Sequence, residues 1–196
     1  MKIHDIFKDK VVTVSNLLSF LRIVASPFLG FFIYREALTG EHRYLCYEVI
    51  TVALIVLSDF LDGFLARLMN QVTKLGQFLD PVADKFSAII ALVFLVLFKG
   101  FPLWAFAVVL IREILVVIAG TILFFRRNIE VKPNIIGKIC MVSMALSGCL
   151  YIFSVDYSLF GVTLKIASVY LVMILYLLGG ILYLKTYLRL YFGTSS

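Results

Sequence analysis

Residues 58–85, SDFLDGFLARLMNQVTKLGQFLDPVADK, hold four aspartates at positions 59, 62, 80 and 84 between long apolar segments. Asp59 and Asp62 are three residues apart and Asp80 and Asp84 are four apart, so each pair lies on one face of a helix. The polar segment MNQVTKLG between them predicts a short turn that brings two helices together as an antiparallel hairpin. Four carboxylates that converge in this way repel one another strongly and need a compensating cation.

The composition of the whole chain is that of a membrane protein. Of its 196 residues, 62% are hydrophobic and 15% are charged, and the mean hydropathy is +1.04. In a soluble domain about half of the residues are apolar and about a quarter are charged. Apolar stretches of the roughly 20 residues that a helix needs to cross a bilayer recur along the chain, without the alternation of a barrel. The prediction is therefore an all-α, polytopic integral membrane protein.

Six membrane-spanning helices are predicted, in one bundle and one domain over residues 1–196, after a short interfacial segment at 1–12. The predicted spans are 14–34 (with a kink at Pro27), 45–68, 80–98, 102–125, 135–155 and 161–191. With an even number of spans, both termini lie on the same side of the membrane.

The basic residues predict which side this is. Twelve of them fall on the side of the termini: Lys2, Lys8, Lys10, Arg67, Lys74, Lys85, Arg126, Arg127, Lys132, Lys138, Lys185 and Arg189. Four fall on the other: Arg35, Arg43, Lys99 and Lys165. Because cytoplasmic loops carry the excess of Lys and Arg, we expect cytoplasmic termini and a cytoplasmic aspartate stretch, in a bacterial inner membrane. The net charge of +6 is explained in this way and not by nucleic acid.

Hard divalent metals would balance the four carboxylates. Mg²⁺ prefers oxygen ligands and often binds carboxylates together with substrate phosphates, and two such ions clamp a phosphate well. Gly63 removes bulk beside the acids, Gly76 allows close approach at the predicted entrance of the third helix, and Arg67 can contact a diphosphate. An ion or proton pathway is the alternative, because acids inside a membrane mark those too. If the aspartates served only as structural residues in salt bridges, some of them would have no basic partner.

The stretch fits D-x2-D-G-x2-A-R-x8-G-x3-D-x3-D at all eight fixed positions and resembles the signature of the CDP-alcohol phosphatidyltransferase family. The segment SNLLSFLRI of the first predicted span extends the resemblance. The family consists of six-helix membrane enzymes, usually homodimers, in which an alcohol displaces CMP from a CDP-linked lipid. For this chain the resemblance implies CDP-diacylglycerol as the donor among membrane lipids, a homodimer, and no nucleic-acid partner.

The resemblance also implies roles for individual residues. Asp59 and Asp80 bridge two Mg²⁺ or Mn²⁺ ions, Asp62 completes the first metal site, and Asp84 completes the second and takes the proton from the attacking hydroxyl. Three further residues contact the CDP moiety: Gly63, Arg67 and Thr73.

The acceptor alcohol is indicated by segments outside the signature. SNLLSFLRI, IREI and IGKI are similar to those of family members that use glycerol 3-phosphate, so we expect phosphatidylglycerophosphate as the product. Lys138, Arg112 and Arg126 are the candidates for binding the acceptor phosphate, although Arg112 next to Glu113 equally predicts an internal ion pair. The segment IREILVVIAGTIL lacks a basic residue that those members carry, and it also resembles members that make cardiolipin from phosphatidylglycerol. A membrane cation carrier is the alternative from a different class.

The cysteines give no sign of a disulfide or zinc site. Cys46, Cys140 and Cys149 lie in or beside apolar segments and lack CxxC spacing, so we expect small packed side chains.

Overall fold

The computed structural model describes residues 13–68, 74–127, 135–159 and 161–192, and six helices make up almost all of them. The helices are α1 Val14–Thr39, α2 His42–Leu68, α3 Lys74–Phe98, α4 Leu103–Arg127, α5 Ile135–Ile152 and α6 Leu164–Phe192. This confirms the prediction of an all-α protein with six helices. The predicted interfacial segment 1–12 lies outside the described residues.

Two details of the predicted helix bounds were wrong. The third helix begins at Lys74, so the last residues of the predicted turn already belong to α3. The first residues of the predicted sixth span belong instead to an antiparallel hairpin of β1 Ser158–Leu159 and β2 Val162–Thr163, and α6 begins only at Leu164. Gly161 turns this hairpin with a φ of 80°, a conformation that glycine adopts without steric cost.

The two ends of α1 are fixed by local capping. The Thr13 side chain accepts a hydrogen bond of 3.2 Å from the Asn16 amide, and this satisfies one of the free donors at the helix start. Gly40 takes the left-handed conformation, and its amide donates to the Glu36 carbonyl at 2.8 Å. These caps set a helix of 26 residues, long enough to cross the hydrocarbon core.

Three helices, within the described residues, are long and apolar enough to cross a membrane: Asn16–Thr39, His42–Leu61 and Leu164–Lys185. Large apolar side chains point outward, for example Leu171, Ile174 and Leu177 of α6. Polar side chains such as Ser19, Ser87 and Ser147 are buried. Such a distribution is expected for helices surrounded by lipid. The predicted six spans and their orientation stay predictions.

The helices form two compact units whose boundary follows Lys99. In the first unit, α1 packs along both α2 and α3, which contact each other at few of the described positions. In the second unit, α6 packs against α5 and α4. The assignment of residues 1–196 to a single domain stays a prediction.

Small side chains bring α1 and α3 close together. Ser26 Oγ lies 2.6 Å from Ser87 Oγ and 2.7 Å from the Arg22 carbonyl oxygen. One turn further along α1, Gly30 faces the ring of Phe94 so closely that a Cβ atom would overlap it. A hydroxyl pair and a glycine therefore set the separation of the two helices.

A buried ion cluster joins the opposite end of the same three helices. Lys99 Nζ lies 2.6 Å from Glu36 Oε2 of α1 and 3.7 Å from Glu48 Oε2 of α2. The Lys99 side chain is 4% exposed and that of Glu48 is fully buried. From the sequence, Lys99 was assigned only to the side of the membrane opposite the termini. In the structure it is the cation between two carboxylates. We refer to Glu36, Glu48 and Lys99 as the lysine bridge.

Replacing Gly30 by alanine should lower stability, because the added methyl group forces the Phe94 ring and the helices apart. A cost of about 1–3 kcal/mol is expected from overpacking. Thermal unfolding followed by circular dichroism in detergent measures it. The matched control is Gly180→Ala in α6, where a Cβ meets nothing within 4 Å and better helix propensity should leave the protein unchanged or more stable. Equal behaviour of the two variants would contradict the close packing at Gly30.

Candidate active site

A buried arginine contacts both of the signature aspartates whose side chains the structure describes. Arg22 Nη1 of α1 lies 3.1 Å from Asp59 Oδ1 of α2 and also contacts Asp84 Oδ1 of α3. The Arg22 side chain is only 1% exposed, whereas those of Asp59 and Asp84 are 59% and 36% exposed. Carboxylates from two helices thus meet around one cation that a third helix supplies from the protein interior. Arg22, Asp59 and Asp84 form what we call the arginine bridge.

The local sequence of α1 explains why Arg22 points inward. Asn16, Ser19, Arg22 and Ser26 are all buried, and their spacing puts them on one face of the helix. A buried guanidinium is stabilised by acids beside it, and this polar face turns toward the helices that carry them. The serines leave room for close packing, and the Arg22 backbone is held near α3 through Ser26 and Ser87.

For the other two aspartates, the structure gives the backbone positions. Asp62 comes three residues after Asp59 within α2, and Asp80 precedes Asp84 by four residues within α3. Their backbone positions are thus one helical turn from the arginine bridge. The side chains of Asp62 and Asp80 lie outside the described residues, and among those described no three His, Cys, Asp or Glu residues gather.

Two of the three residues predicted to bind the CDP moiety follow Asp59 along α2. Gly63 and Arg67 belong to the last part of α2, and the Arg67 side chain lies outside the described residues. Thr73 itself lies outside the described residues. Their roles stay predictions.

The chemistry of the arginine bridge suits a hard divalent cation. Its two carboxylates come from different helices, face one positive charge and are exposed in full or in part at the protein surface, where an ion can reach them. Mg²⁺ and Mn²⁺ both favour carboxylate oxygens and retain several water ligands. The observed donor set therefore fits a metal, with Asp62 and Asp80 available one turn away.

Of the three candidates for acceptor binding, the structure describes one side chain. Arg112 of α4 contacts the Glu113 carboxylate, and its guanidinium carbon lies 5.1 Å from the ring centroid of Tyr176 of α6. This geometry supports the internal ion pair that the sequence left open, since the Arg112 charge is balanced by Glu113. Arg126 falls near the end of α4 and Lys138 near the start of α5, and both side chains lie outside the described residues.

The cysteines are all free, as expected: Cys140 is buried, Cys149 is half-buried and Cys46 is exposed. The Cys140 thiol donates to the Leu175 carbonyl at 3.2 Å, which helps to hold α5 against α6. Cys46 is not packed within the protein, contrary to the prediction.

Sequence reasoning missed Arg22. The residue was part of the segment SNLLSFLRI but received no role. The signal that could have found it is an arginine in an apolar span with no acid within one turn on its own helix, which requires an acid from another helix.

The family assignment agrees with this geometry. A sequence model of the CDP-alcohol phosphatidyltransferase family matches residues 12–184, which include all six helices except the end of α6. The chain belongs to the CDP-alcohol phosphatidyltransferase family. Asp59, Asp84 and Arg22 all lie within the matched residues.

Two kinds of family member are similar to this chain. A CDP-diacylglycerol–glycerol-3-phosphate 3-phosphatidyltransferase of Aquifex aeolicus (strain VF5) is 35% identical over 153 residues, 74% of this chain and 81% of that protein. One of the same name from Bacillus subtilis (strain 168) is 41% identical over 87 residues, 42% of each chain. A cardiolipin synthase (CMP-forming) of Streptomyces coelicolor is 36% identical over 132 residues, 66% of this chain and 60% of that protein.

The structural role of the Arg112–Glu113 pair can be tested by mutation. Glu113→Gln leaves a mostly buried guanidinium without its carboxylate, and we expect a loss of about 3 kcal/mol in unfolding free energy. Replacing both residues by leucine should restore much of it. The control is Glu41→Gln, which removes the exposed partner of Arg43 and should cost no more than about 0.5 kcal/mol. Equal losses for the two single variants in urea titrations would argue against an internal pair at Arg112.

Proposed function

We propose that this protein transfers the phosphatidyl group of CDP-diacylglycerol to glycerol 3-phosphate, releasing CMP and forming phosphatidylglycerophosphate. The observation that carries the proposal is the meeting of Asp59 and Asp84 around one buried cation, inside the family signature. The Aquifex and Bacillus relatives, whose names state this reaction, support the choice of acceptor.

Two Mg²⁺ or Mn²⁺ ions are part of the proposal. Asp59, Asp62, Asp80 and Asp84 would hold them. When bound, such ions supply positive charge that aligns the diphosphate and stabilises the negative charge on the entering and leaving oxygens. The carboxylates of Asp59 and Asp84 are suited to bind them because neither is enclosed within the protein.

Asp84 is the proposed general base. A hydroxyl group is a poor nucleophile at neutral pH, and a carboxylate within hydrogen-bond reach can take its proton as attack begins. The acceptor oxygen forms a bond to the phosphorus that carries diacylglycerol, while the bond from that phosphorus to the bridging diphosphate oxygen breaks. CMP leaves with that oxygen and its electron pair, and the proton from the acceptor hydroxyl passes to Asp84.

The donor and acceptor would be held by residues on either side of the aspartates. Gly63, Arg67 and Thr73 are proposed to contact the CDP moiety, with Gly63 leaving space against the backbone and Arg67 pairing with the diphosphate. Lys138 and Arg126 are proposed for the phosphate of the acceptor. Arg112 is a weaker candidate for this contact, since Glu113 already balances its charge.

The proposed setting is the bacterial inner membrane, with the site and both termini on the cytoplasmic side and the chain assembled as a homodimer. The apolar outer faces of the helices and the family support a membrane location. A site near the membrane surface lets the lipid tails stay in the bilayer while the nucleotide remains in water.

Asp84→Asn should abolish most of the activity, because the amide cannot accept the hydroxyl proton. A fall of about 10²–10⁴ in the rate of CMP release is expected for loss of a general base. The control is Asp156→Asn, which removes an exposed carboxylate paired with Lys165 beside the hairpin and should leave the rate unchanged. Normal CMP release by purified Asp84→Asn would refute the base assignment.

The second candidate is a cardiolipin synthase that uses phosphatidylglycerol as acceptor, and the Streptomyces relative favours it. Both reactions use the same donor and release CMP, so only the lipid product separates them. Purified protein with CDP-diacylglycerol and either acceptor, analysed by mass spectrometry, should give phosphatidylglycerophosphate from glycerol 3-phosphate.

The expected preference for glycerol 3-phosphate is at least about tenfold in kcat/KM, which corresponds to one lost charge-assisted contact. Cardiolipin as the main product would reverse the choice of acceptor. Mn²⁺ uptake into proteoliposomes without any CMP release would instead support the cation-carrier alternative.

A further inference from the structure

We propose that Arg22 is an exchangeable counter-ion of the metal site, holding Asp59 and Asp84 when no metal is bound and competing with the metal for their oxygens. This inference rests on the proposed function, because it takes the aspartates to be metal ligands. Arg22 is a positioning residue in this proposal and takes no part in proton transfer.

The contacts of Arg22 are with the atoms that a metal needs. Its Nη1 contacts Oδ1 of both Asp59 and Asp84, so one nitrogen is shared between carboxylates from two helices. A divalent ion bound between α2 and α3 would draw on the same carboxylate oxygens. The guanidinium and the ion therefore cannot both bind these carboxylate oxygens with optimal geometry.

The surroundings of Arg22 explain why the two cations compete. Its side chain is 1% exposed, and a buried guanidinium loses most of its stabilisation when carboxylates are withdrawn from it. Its backbone carbonyl is held by the Ser26 and Ser87 hydroxyls, so the base of the side chain stays beside α3. The charge of Arg22 thus remains close to the aspartates whether or not it contacts them.

The size of the competition follows from Coulomb's law. A unit charge ~5 Å from a divalent ion weakens its binding by about tenfold, even at the dielectric constant of water. Removing the charge of Arg22 should therefore tighten metal binding by at least this factor. Loss of a residue that only supported the fold would leave affinity unchanged or weaken it.

The lysine bridge provides a matched control in the same three helices. Lys99 also pairs with carboxylates from two other elements, Glu36 and Glu48. Glu36 is 24% exposed, less than either aspartate, and Glu48 is fully buried, so a hydrated ion has no comparable access. Lys99→Met removes a buried bridging cation in the same way but should not alter metal affinity.

The experiment measures Mn²⁺ binding to the full-length chain in uncharged detergent micelles, from the electron paramagnetic resonance signal of free Mn²⁺. The wild type is compared with Arg22→Gln, Arg22→Lys and Lys99→Met. We expect about tenfold tighter binding for Arg22→Gln and unchanged binding for Lys99→Met. Arg22→Lys should tighten binding by about two- to threefold, since a compact and strongly hydrated ammonium holds two carboxylates less well than a guanidinium.

Unchanged or weaker Mn²⁺ binding in Arg22→Gln overturns the inference. If that variant does not fold, the same result in Arg22→Lys overturns it. A fourth variant, Asp59→Asn/Asp84→Asn, tests the proposed function separately and should lose Mn²⁺ binding. Wild-type Mn²⁺ affinity in that double variant would refute the proposed metal site. If the double variant loses Mn²⁺ binding but Arg22→Gln does not bind more tightly, only the role of Arg22 is refuted.

Discussion

A guanidinium inside an apolar helix bundle needs partners for its charge, and the arrangement of α1, α2 and α3 supplies them as carboxylates. Arg22 reaches Asp59 and Asp84 from α1, although α2 and α3 contact each other at few described positions. The first helix therefore organises a site whose acids lie on the next two. Because Arg22 is buried and the aspartates are more exposed, cation and carboxylates meet at the boundary between the protein interior and its surface.

Residues of α1 take part in two buried ion clusters. Arg22 and Glu36 are 14 residues apart, which corresponds to about 21 Å of helix, and each belongs to an ion cluster that joins three elements. Between the clusters the contacts are small or aromatic, such as Gly30 with Phe94 and Tyr34 with Phe98. Without a hydrophobic driving force between helices in lipid, close packing and polar contacts at both ends define how they associate. The carboxylates of the lysine bridge are more buried than those of the arginine bridge. Only the arginine bridge is therefore suited to bind a metal ion.

Most of the helical architecture could be predicted from the sequence, because long apolar stretches have few alternatives in a membrane. The start of α1 at Val14, the continuation of α2 past Asp59 to Leu68 and the end of α3 at Phe98 all agree with the prediction. The hairpin at 158–163 was missed, since strands of two residues leave no periodic signal.

The candidate site was predictable only in part. The spacing of acids within one helix follows from 3.6 residues per turn, so the two aspartate pairs and the family signature could be found in the sequence. The partners of Arg22 and Lys99 could not, because they depend on which helices become neighbours. A basic residue near a span end looks the same in sequence whether it faces a loop or, like Lys99, a buried Glu48.

The arginine bridge also constrains how the protein is made. Synthesis proceeds from the amino terminus, so α1 leaves the ribosome before α2 and α3, and Arg22 reaches the membrane ahead of Asp59 and Asp84. Its charge has no carboxylate of its own helix nearby during that interval. The nascent first span is thus poorly suited to release into lipid by itself, and it gains a stable position only when the following pair of helices arrives to neutralise it.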